Sequence, residues 1–436
     1  MLTKASSNGI GLRLVAGLLL LLPILAATLP ASAQEGMEMH MEVIASGLNN
    51  PRGLAFGPEG ALYVAEAGTG GPDCIDDMGI CIGATGSITR IWNGEKNRVT
   101  TGLFSLADPS GFGATGPVDI SFRGRGGGFI VVGLGADPAL RDELAANFFP
   151  GFSNFGQLVQ MPASGKWRNI TDLSAYEGMA NPDGGLVDSN PYAVAALAGK
   201  RVVADAGGNS LLKVSSKNDI STLAVFPPHM WEVPPEGLPF PGGPPPGTII
   251  PIDAVPTSVV QGPDGALYVG ELASITTGEA NVWRVPADGG TPEVYATGFT
   301  AIIDIAFMPD GSLLVLEIFK NGLIAGEFMG DMTGRLVHVM LDGSQMEMSE
   351  GLVAPGGLAV GQDGSIYVTN YSIFPGAGEV VHIMHHGEHH KLGAAPDLQV
   401  ATGPMSLPKF SFLHVNVERL NEMALDNSVF LPVLPR

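Results

Sequence analysis

The chain has 436 residues, and its 43 Asp and Glu against 22 Lys and Arg give a formal net charge of −21 at pH 7. An acid excess of this size argues against nucleic acid and anionic lipid as partners, and favours solubility and the binding of cations or basic ligands. Only 15% of the residues are charged, whereas 61 are Gly and 34 are Pro. Tight turns are therefore abundant, and the composition favours an all-β fold.

The first segment, residues 1–33, is typical of a secretory signal peptide. Lys4 and Arg13 precede an apolar run from Leu14 to Leu29, and Ala31-Ser32-Ala33 forms a small-x-small cleavage site. Such a segment is removed from the mature protein, and no later stretch reaches the ~18 apolar residues that a membrane span requires. We therefore expect a secreted protein, periplasmic or extracellular, with no membrane span after cleavage.

One pattern then recurs along the chain: an apolar strand, a tight turn rich in Gly and acids, and a second apolar strand that ends near a polar residue. Further short strands follow each copy. Units of roughly 45 to 75 residues with four strands each are typical of a β-propeller. The sequence therefore predicts a six-bladed β-propeller of the NHL or lactonase-like kind over residues 37–390. The six copies occupy 51–66, 117–133, 191–205, 256–271, 302–317 and 355–370.

One predicted strand, Met41–Ser46, precedes the first copy and has no unit of its own. Pairing it with the sixth blade would close the ring and remove two exposed edges, so we expect an N-terminal strand in the last blade. Residues 391–436 follow the last blade and carry no repeat. We expect this tail to add a strand or to be partly disordered.

Long connections separate the two faces of the predicted propeller. Connections between second and third strands, and between blades, emerge on one face of an up-and-down blade, which we call the loop face. Long loops on a rigid scaffold are where binding normally occurs, so we expect a small molecule or an extracytoplasmic protein to bind there, and we expect a monomer. The Pro-rich segment is interpreted as a stiff extended flap. The connections are 67–85, 103–116, 134–155, 173–190, 226–255 (Pro-rich), 272–280, 318–333 and 371–377.

Polar residues recur at the ends of the second strands and near the starts of the first strands, which should surround the central channel. Oxygen ligands from several blades suit the flexible coordination of Ca²⁺, which takes about six to eight oxygens. Alternatively, each acid caps its own blade by accepting backbone N–H groups, and the sequence leaves both interpretations open. The candidate Ca²⁺ ligands are Glu66, Asp119, Asp205, Glu271, Asp304, Glu317 and Asn370.

A second candidate metal site is rich in His and Met. If the N-terminal strand closes the last blade, His40 and its neighbouring Met residues meet the turn after the third strand. Thioether and imidazole ligands could then hold Cu(I) or Cu(II), although an exposed His-rich turn explains the same residues. The turn contributes His382, His385, His386, His389 and His390.

The chain has two cysteines, Cys74 and Cys81, in one polar loop. In an oxidising compartment this spacing predicts a short-range disulfide, and a metal pair is less well supported because no His lies nearby in sequence. A bridge across so short a loop stiffens it locally.

Several segments in one order resemble the ScyD/ScyE family, secreted bacterial proteins named from the gene cluster for the pigment scytonemin. The resemblance covers about residues 42–385 and implies a secreted six-bladed propeller, without catalytic residues that can be carried over. The segments are SGLNNPRGLAFGPEGALYVAEAG (46–68), Cys74 with Cys81, VGLGADPA (132–139), NPDGG to DSNPY (181–192), VADAGGN (203–209), VPTSV (255–259) and ANVWRV (280–285).

Three functions are compatible with these observations. The first is a binding or assembly module that uses the loop face, favoured by the loop asymmetry, the acid excess and the lack of a recognisable triad. The second is a Ca²⁺-dependent hydrolase or isomerase of a small lactone, ester or aromatic metabolite. The third, a quinone-dependent dehydrogenase, needs cationic groups to hold the cofactor, and Arg52 is the only basic residue in the predicted channel.

Overall fold

The computed structural model describes residues 39–75, 78–125, 127–162, 166–237, 244–273, 276–328, 330–348 and 351–385. The predicted signal peptide and C-terminal tail lie outside these ranges. The described residues form six antiparallel sheets arranged as a six-bladed β-propeller, which confirms the predicted fold, and one further two-stranded hairpin.

The strands follow the predicted repeat. The N-terminal strand is β1 (Met39–Leu48). Blade one holds β2 (Pro51–Phe56), β3 (Leu62–Glu66), β4 (Asp73–Ile75), β5 (Ile80–Trp92) and β6 (Glu95–Ala107). Blade two holds β7 (Pro117–Phe122), β8 (Gly128–Val132), β9 (Gln157–Met161) and β10 (Arg168–Asp172). Blade three holds β11 (Pro191–Leu197), β12 (Lys200–Asp205), β13 (Ser210–Ser215) and β14 (Ile220–Val225).

The second half of the chain completes the ring. The separate hairpin consists of β15 (His229–Glu232) and β16 (Ile249–Ile252). Blade four holds β17 (Val260–Gln261), β18 (Leu267–Gly270), β19 (Ala280–Val285) and β20 (Glu293–Phe299). Blade five holds β21 (Ile302–Phe307), β22 (Leu313–Glu317), β23 (Arg335–Val339) and β24 (Gln345–Glu347). Blade six holds β25 (Gly357–Val360), β26 (Ile366–Asn370) and β27 (Gly378–His385), and β1 is its fourth strand.

The ring closes as the sequence predicts. Strand β1 runs antiparallel to β27, and the blade has the order β1-β27-β26-β25. The outer strand of the last blade thus comes from the N-terminal end of the described chain. Backbone hydrogen bonds hold β1 in blade six, and the chain continues from β1 into β2 of blade one. This pairing leaves no gap in the ring of described blades, and it protects an edge of β27 that would otherwise be open.

The repeated turn explains why each copy folds into a hairpin. In blade five, Asp310 Oδ1 accepts hydrogen bonds from the backbone N–H and the hydroxyl of Ser312, at 2.9 and 2.6 Å. Gly311 between them has a φ of 90°, a conformation that is strained for other residues. Blade six repeats the arrangement with Asp363 and Ser365. The Asp-Gly pair therefore fixes a tight turn, and the apolar strands on either side pair in register.

The hydrophobic core lies between neighbouring blades. Ile88 of blade one, with Ile130 and Val159 of blade two, belongs to one buried cluster, and each is almost fully shielded from solvent. Burying one such side chain is worth about 1.5–3 kcal/mol. Apolar residues of each blade therefore hold its neighbours, and the first strands are fixed around the axis.

Several loop-face connections contain structure that the sequence analysis did not predict. Between β8 and β9 lie α1 (Pro138–Asn147) and a 3-10 turn (Pro150–Asn154), and α2 (Leu173–Ala180) follows β10. A π-helical turn spans Ile324–Phe328. No helix in the described part of the chain is long and apolar enough to cross a membrane.

Candidate functional site

The acids at the ends of the second strands cap their own blades. Glu66 is fully buried and accepts hydrogen bonds from Asn49 N at 2.7 Å and from Arg98 Nε and Nη2 at 3.0 and 2.8 Å. Glu317 repeats the pattern with Thr300 N at 2.9 Å and two donors of Arg335. In both blades the capped N–H lies just before the first strand, so the carboxylate joins that position to an outer strand, which is β6 for Arg98 and β23 for Arg335.

Asp205 and Asn370 cap blades three and six in the same way. Asp205 accepts from Asn190 N at 2.6 Å and from the Ser189 hydroxyl at 2.7 Å, and Asn370 Oδ1 accepts from Val353 N at 2.7 Å. Burial raises the pKa of Asp205 to about 6, although its hydrogen bonds oppose the shift. These polar ends are therefore already bonded to protein groups.

Glu271 of blade four differs, because its cationic partner comes from the β15–β16 hairpin. His229 Nε2 lies 2.7 Å from Glu271 Oε1, which also accepts from Asn281 N and Nδ2 at 2.8 Å. Trp283 Nε1 donates to Oε2. The hydrogen bond to Glu271 raises the pKa of His229 above its ordinary value. The described ends of the Pro-rich segment thus pair as a two-stranded hairpin that is held to blade four, whereas residues 238–243 lie outside the described residues and the extended flap stays a prediction.

Asp119 and Asp304 occupy matching positions in blades two and five. Each accepts the N–H of the next residue in its own strand and an N–H of the following blade: Val194 N for Asp119 at 2.8 Å, and Leu358 N for Asp304 at 2.7 Å. Burial raises the pKa of Asp119 to about 7. Burial and the charge of Asp119 raise the pKa of Asp304 well above its ordinary range. Both side chains retain some accessible surface.

The structure distributes the seven predicted Ca²⁺ ligands around the ring without bringing them to one point. Within the described ranges, no group of three or more His, Cys, Asp or Glu is arranged to hold a metal ion. The capping interpretation accounts for Glu66, Asp205, Glu317 and Asn370. The Ca²⁺ site stays a prediction without a converging ligand set in the described residues.

Two further residues of the channel were not among the predicted site residues, although Arg52 was noted as the only basic residue of the predicted channel. Arg52 is 5% exposed and donates from Nη2 to Ala114 O at 2.8 Å, and burial lowers its pKa. Tyr192 is 7% exposed, and burial raises its pKa. The charge of Arg52 opposes this rise in the pKa of Tyr192, and the charges of Asp304 and Asp119 add to it. Val194, two residues after Tyr192, donates its N–H to Asp119, so neighbouring first strands are linked around the axis. Each lies one position before the residue that matches Asp119 and Asp304 in its own copy of the repeat, so aligning the copies at that preceding position brings Arg52 and Tyr192 together.

The His and Met residues are partly brought together. In the β1–β27 pairing His40 lies opposite Met384, Met39 opposite His385, and Glu42 opposite His382. His382 stacks on Tyr367 with ring centroids 4.6 Å apart, and His40 is exposed. The remaining predicted members, His386, His389 and His390, lie outside the described residues. The soft-metal patch therefore stays a prediction.

The described connections of the loop face are held by a disulfide and ion pairs, and they expose acidic side chains. Cys74 and Cys81 form the predicted disulfide, which joins β4 to β5. Arg141 of α1 is buried and bonds Asp172 Oδ1, the N-cap of α2, at 2.9 Å. Lys320 pairs with Glu347 at 2.8 Å. Exposed acids of the described connections are Asp73, Asp137, Asp142, Glu143, Glu232, Glu236 and Glu279.

No family model matches the chain, and no curated protein matches it in sequence. Solved structures with a similar arrangement are propeller proteins. A streptogramin B lyase is 12% identical, with a TM-score of 0.40, over 80% of this chain and 98% of its own. The PQQ-bound aldose sugar dehydrogenase of Streptomyces coelicolor is 14% identical, with a TM-score of 0.46, over 80% of this chain and 98% of its own. No activity is inferred from these likenesses.

Proposed function

We propose that this protein is a secreted binding propeller that engages a positively charged partner on its loop face. One observation carries the proposal. The described loop-face connections expose acids on α1, on the β15–β16 hairpin and before β19, whereas their Lys and Arg residues are Arg141 and Lys320, both held in ion pairs. A surface of one sign attracts and orients a partner of the other sign.

Several of the described loop-face connections are tied in place by side-chain contacts. The disulfide fixes β4, Arg141 joins α1 to the N-cap of α2, and the His229–Glu271 pair holds the hairpin. Binding by a surface that is already ordered loses less conformational entropy, so more of the interaction energy appears as affinity. Exposed apolar side chains on the same connections, Phe148 and Met230, add area for contact.

Secretion is part of the proposal. The Cys74–Cys81 disulfide supports it, because disulfides persist in oxidising compartments, and so does the predicted signal peptide. Membership of the ScyD/ScyE family is proposed on the sequence motifs alone. The Ca²⁺-dependent hydrolase is not proposed, because four of the polar ends that it would use are bonded as caps.

The test compares two variants of equal net charge. A fluorescent hexalysine peptide serves as the cationic probe and hexaglutamate as the control, with binding followed by anisotropy at rising NaCl. Glu143→Gln/Glu232→Gln/Glu236→Gln removes exposed loop-face charges, whereas the matched variant removes three exposed charges near the opposite face. The matched variant is Glu95→Gln/Asp288→Asn/Glu293→Gln.

We expect the loop-face variant to bind hexalysine about tenfold more weakly, since three exposed ionic contacts are worth roughly 0.2–1 kcal/mol each. The matched variant should bind like the unaltered protein. Equal weakening in both variants would show that only net charge matters, and would refute the proposal.

A further inference from the structure

Four polar side chains lie near the starts of the first strands of four blades, at the end of the ring that carries the loop face. Arg52 comes from blade one, Asp119 from blade two, Tyr192 from blade three and Asp304 from blade five. We propose that these residues form a binding site for a primary ammonium group. The inference goes beyond the loop-face function, because it concerns a separate set of residues inside the ring.

Close backbone approaches link the four groups. A Cβ atom at Gly53 would lie 2.3 Å from Asp119 Oδ1, so the absence of a side chain there is what admits the carboxylate. A Cβ atom at Gly357 would lie 2.6 Å from Arg52 O, and the next residue, Leu358, donates its N–H to Asp304 Oδ2. Strand β2, which carries Arg52, therefore lies between two strands. One is β7, which carries Asp119, and the other is β25, whose Leu358 bonds Asp304.

The hydrogen-bonding capacity of the site fits an ammonium group. Each carboxylate oxygen of Asp119 and Asp304 accepts one backbone N–H, which leaves further lone-pair positions on each. The Tyr192 hydroxyl makes no hydrogen bond to any residue that the structure describes, although nine-tenths of the side chain is buried. An ammonium group has three donors, and two carboxylates and one phenol oxygen supply three acceptors.

The charges favour a monovalent cation over Ca²⁺. Two carboxylates and one guanidinium leave a single negative charge when both aspartates are ionised, which one ammonium group neutralises. Calcium needs about six to eight oxygen ligands, whereas this set offers two carboxylates and a phenol beside a cation. Arg52 also donates to Ala114 O, which directs its guanidinium toward the protein backbone.

Occupancy should be coupled to proton release. Burial raises the pKa values of both aspartates, and the charge of Asp119 adds to the effect on Asp304, so part of the pair is protonated near neutral pH. A bound cation stabilises the ionised carboxylates and lowers those pKa values. The groups that face the site are Asp119, Asp304, Arg52 and Tyr192, and the first two would release protons.

The test uses n-butylamine as the probe and n-butanol as its uncharged control. Titration calorimetry at pH 6.5 in buffers of different ionisation enthalpy measures both the affinity and the protons released. Tyr192→Phe removes a hydroxyl that holds no described partner, so its fold should be retained. Tyr295→Phe, on an outer strand and 44% exposed, is the matched control, and Asp304→Asn removes one acid.

We expect n-butylamine to bind with proton release, and n-butanol not to bind. Tyr192→Phe should weaken binding about tenfold, as for loss of a hydrogen bond to a charged group. Tyr295→Phe should have no effect, and Asp304→Asn should reduce the proton release. Binding without proton release, an unchanged Tyr192→Phe affinity, or release by CaCl₂ but not by amine would overturn the inference. Hexalysine binding is measured separately, so failure here leaves the loop-face proposal intact.

Discussion

If Glu66 caps blade one and is not a Ca²⁺ ligand, changing it should destabilise the protein equally with and without Ca²⁺. Glu66→Gln keeps the size of the side chain but replaces one acceptor oxygen with a donor beside Arg98 and Asn49 N. Breaking a buried ion pair costs about 3–5 kcal/mol. Because Arg98 is 44% exposed, solvent screens part of the pair, and we expect a loss of about 2–3 kcal/mol.

Urea unfolding of the protein, followed by fluorescence, measures the change in the presence of CaCl₂ and of EDTA. Capping predicts the same loss in both media. The control is Glu59→Gln, which removes the exposed pair with Arg90 and should cost less than about 1 kcal/mol. A Ca²⁺ site filled to 100 times its Kd adds about 2.7 kcal/mol. If Glu66→Gln is neutral in EDTA and loses only a Ca²⁺-dependent stabilisation, the capping account is wrong.

Three further predictions concern pH and the loop face. The pKa of Asp119 is about 7 in the folded protein against an ordinary 3.8, so the folded state binds more protons than the unfolded state between these pH values. The free energy of unfolding should therefore fall as pH rises from 4 to 7. A series of urea unfolding curves should show a smaller fall for Asp119→Asn. The pKa of His229 is raised, so its contribution to stability is present at low pH and is lost as pH rises through that pKa. A protease should therefore cut the β15–β16 hairpin of His229→Ala faster than that of the unaltered protein at pH 6, and equally fast at pH 9. Cys74→Ser/Cys81→Ser should speed amide exchange in β4 and the start of β5, but not in β12 of blade three.

The sequence predicts the blades because their signals are local. An Asp-Gly turn with Ser two residues after the Asp, as at Asp310 and Asp363, fixes a hairpin from a few neighbouring atoms. The closure by β1 also follows from the repeat pattern, because a predicted strand outside the six units can pair with the open edge of the last blade. The turns need no knowledge of distant contacts, whereas the closure joins strands at opposite ends of the described chain.

The candidate site depends on contacts between distant segments, and there the sequence is less informative. Glu66 and Glu271 look equivalent in the repeat, yet Arg98 of its own blade pairs with the first and His229 of an interblade hairpin pairs with the second. Burial of Tyr192 beside Asp119 depends on how three blades meet at the axis. Helix α1 does carry a local signal, because Asp137 caps it and Pro138 begins it, whereas the tie from Arg141 to Asp172 is a tertiary contact.

The most direct test of the loop-face account is a hydrogen-exchange footprint of bound hexalysine. The account predicts slower exchange in α1 and in the β15–β16 hairpin, with unchanged exchange in the Asp310 and Asp363 turns of the opposite face. Protection confined to those turns, or spread evenly over both faces, would contradict it.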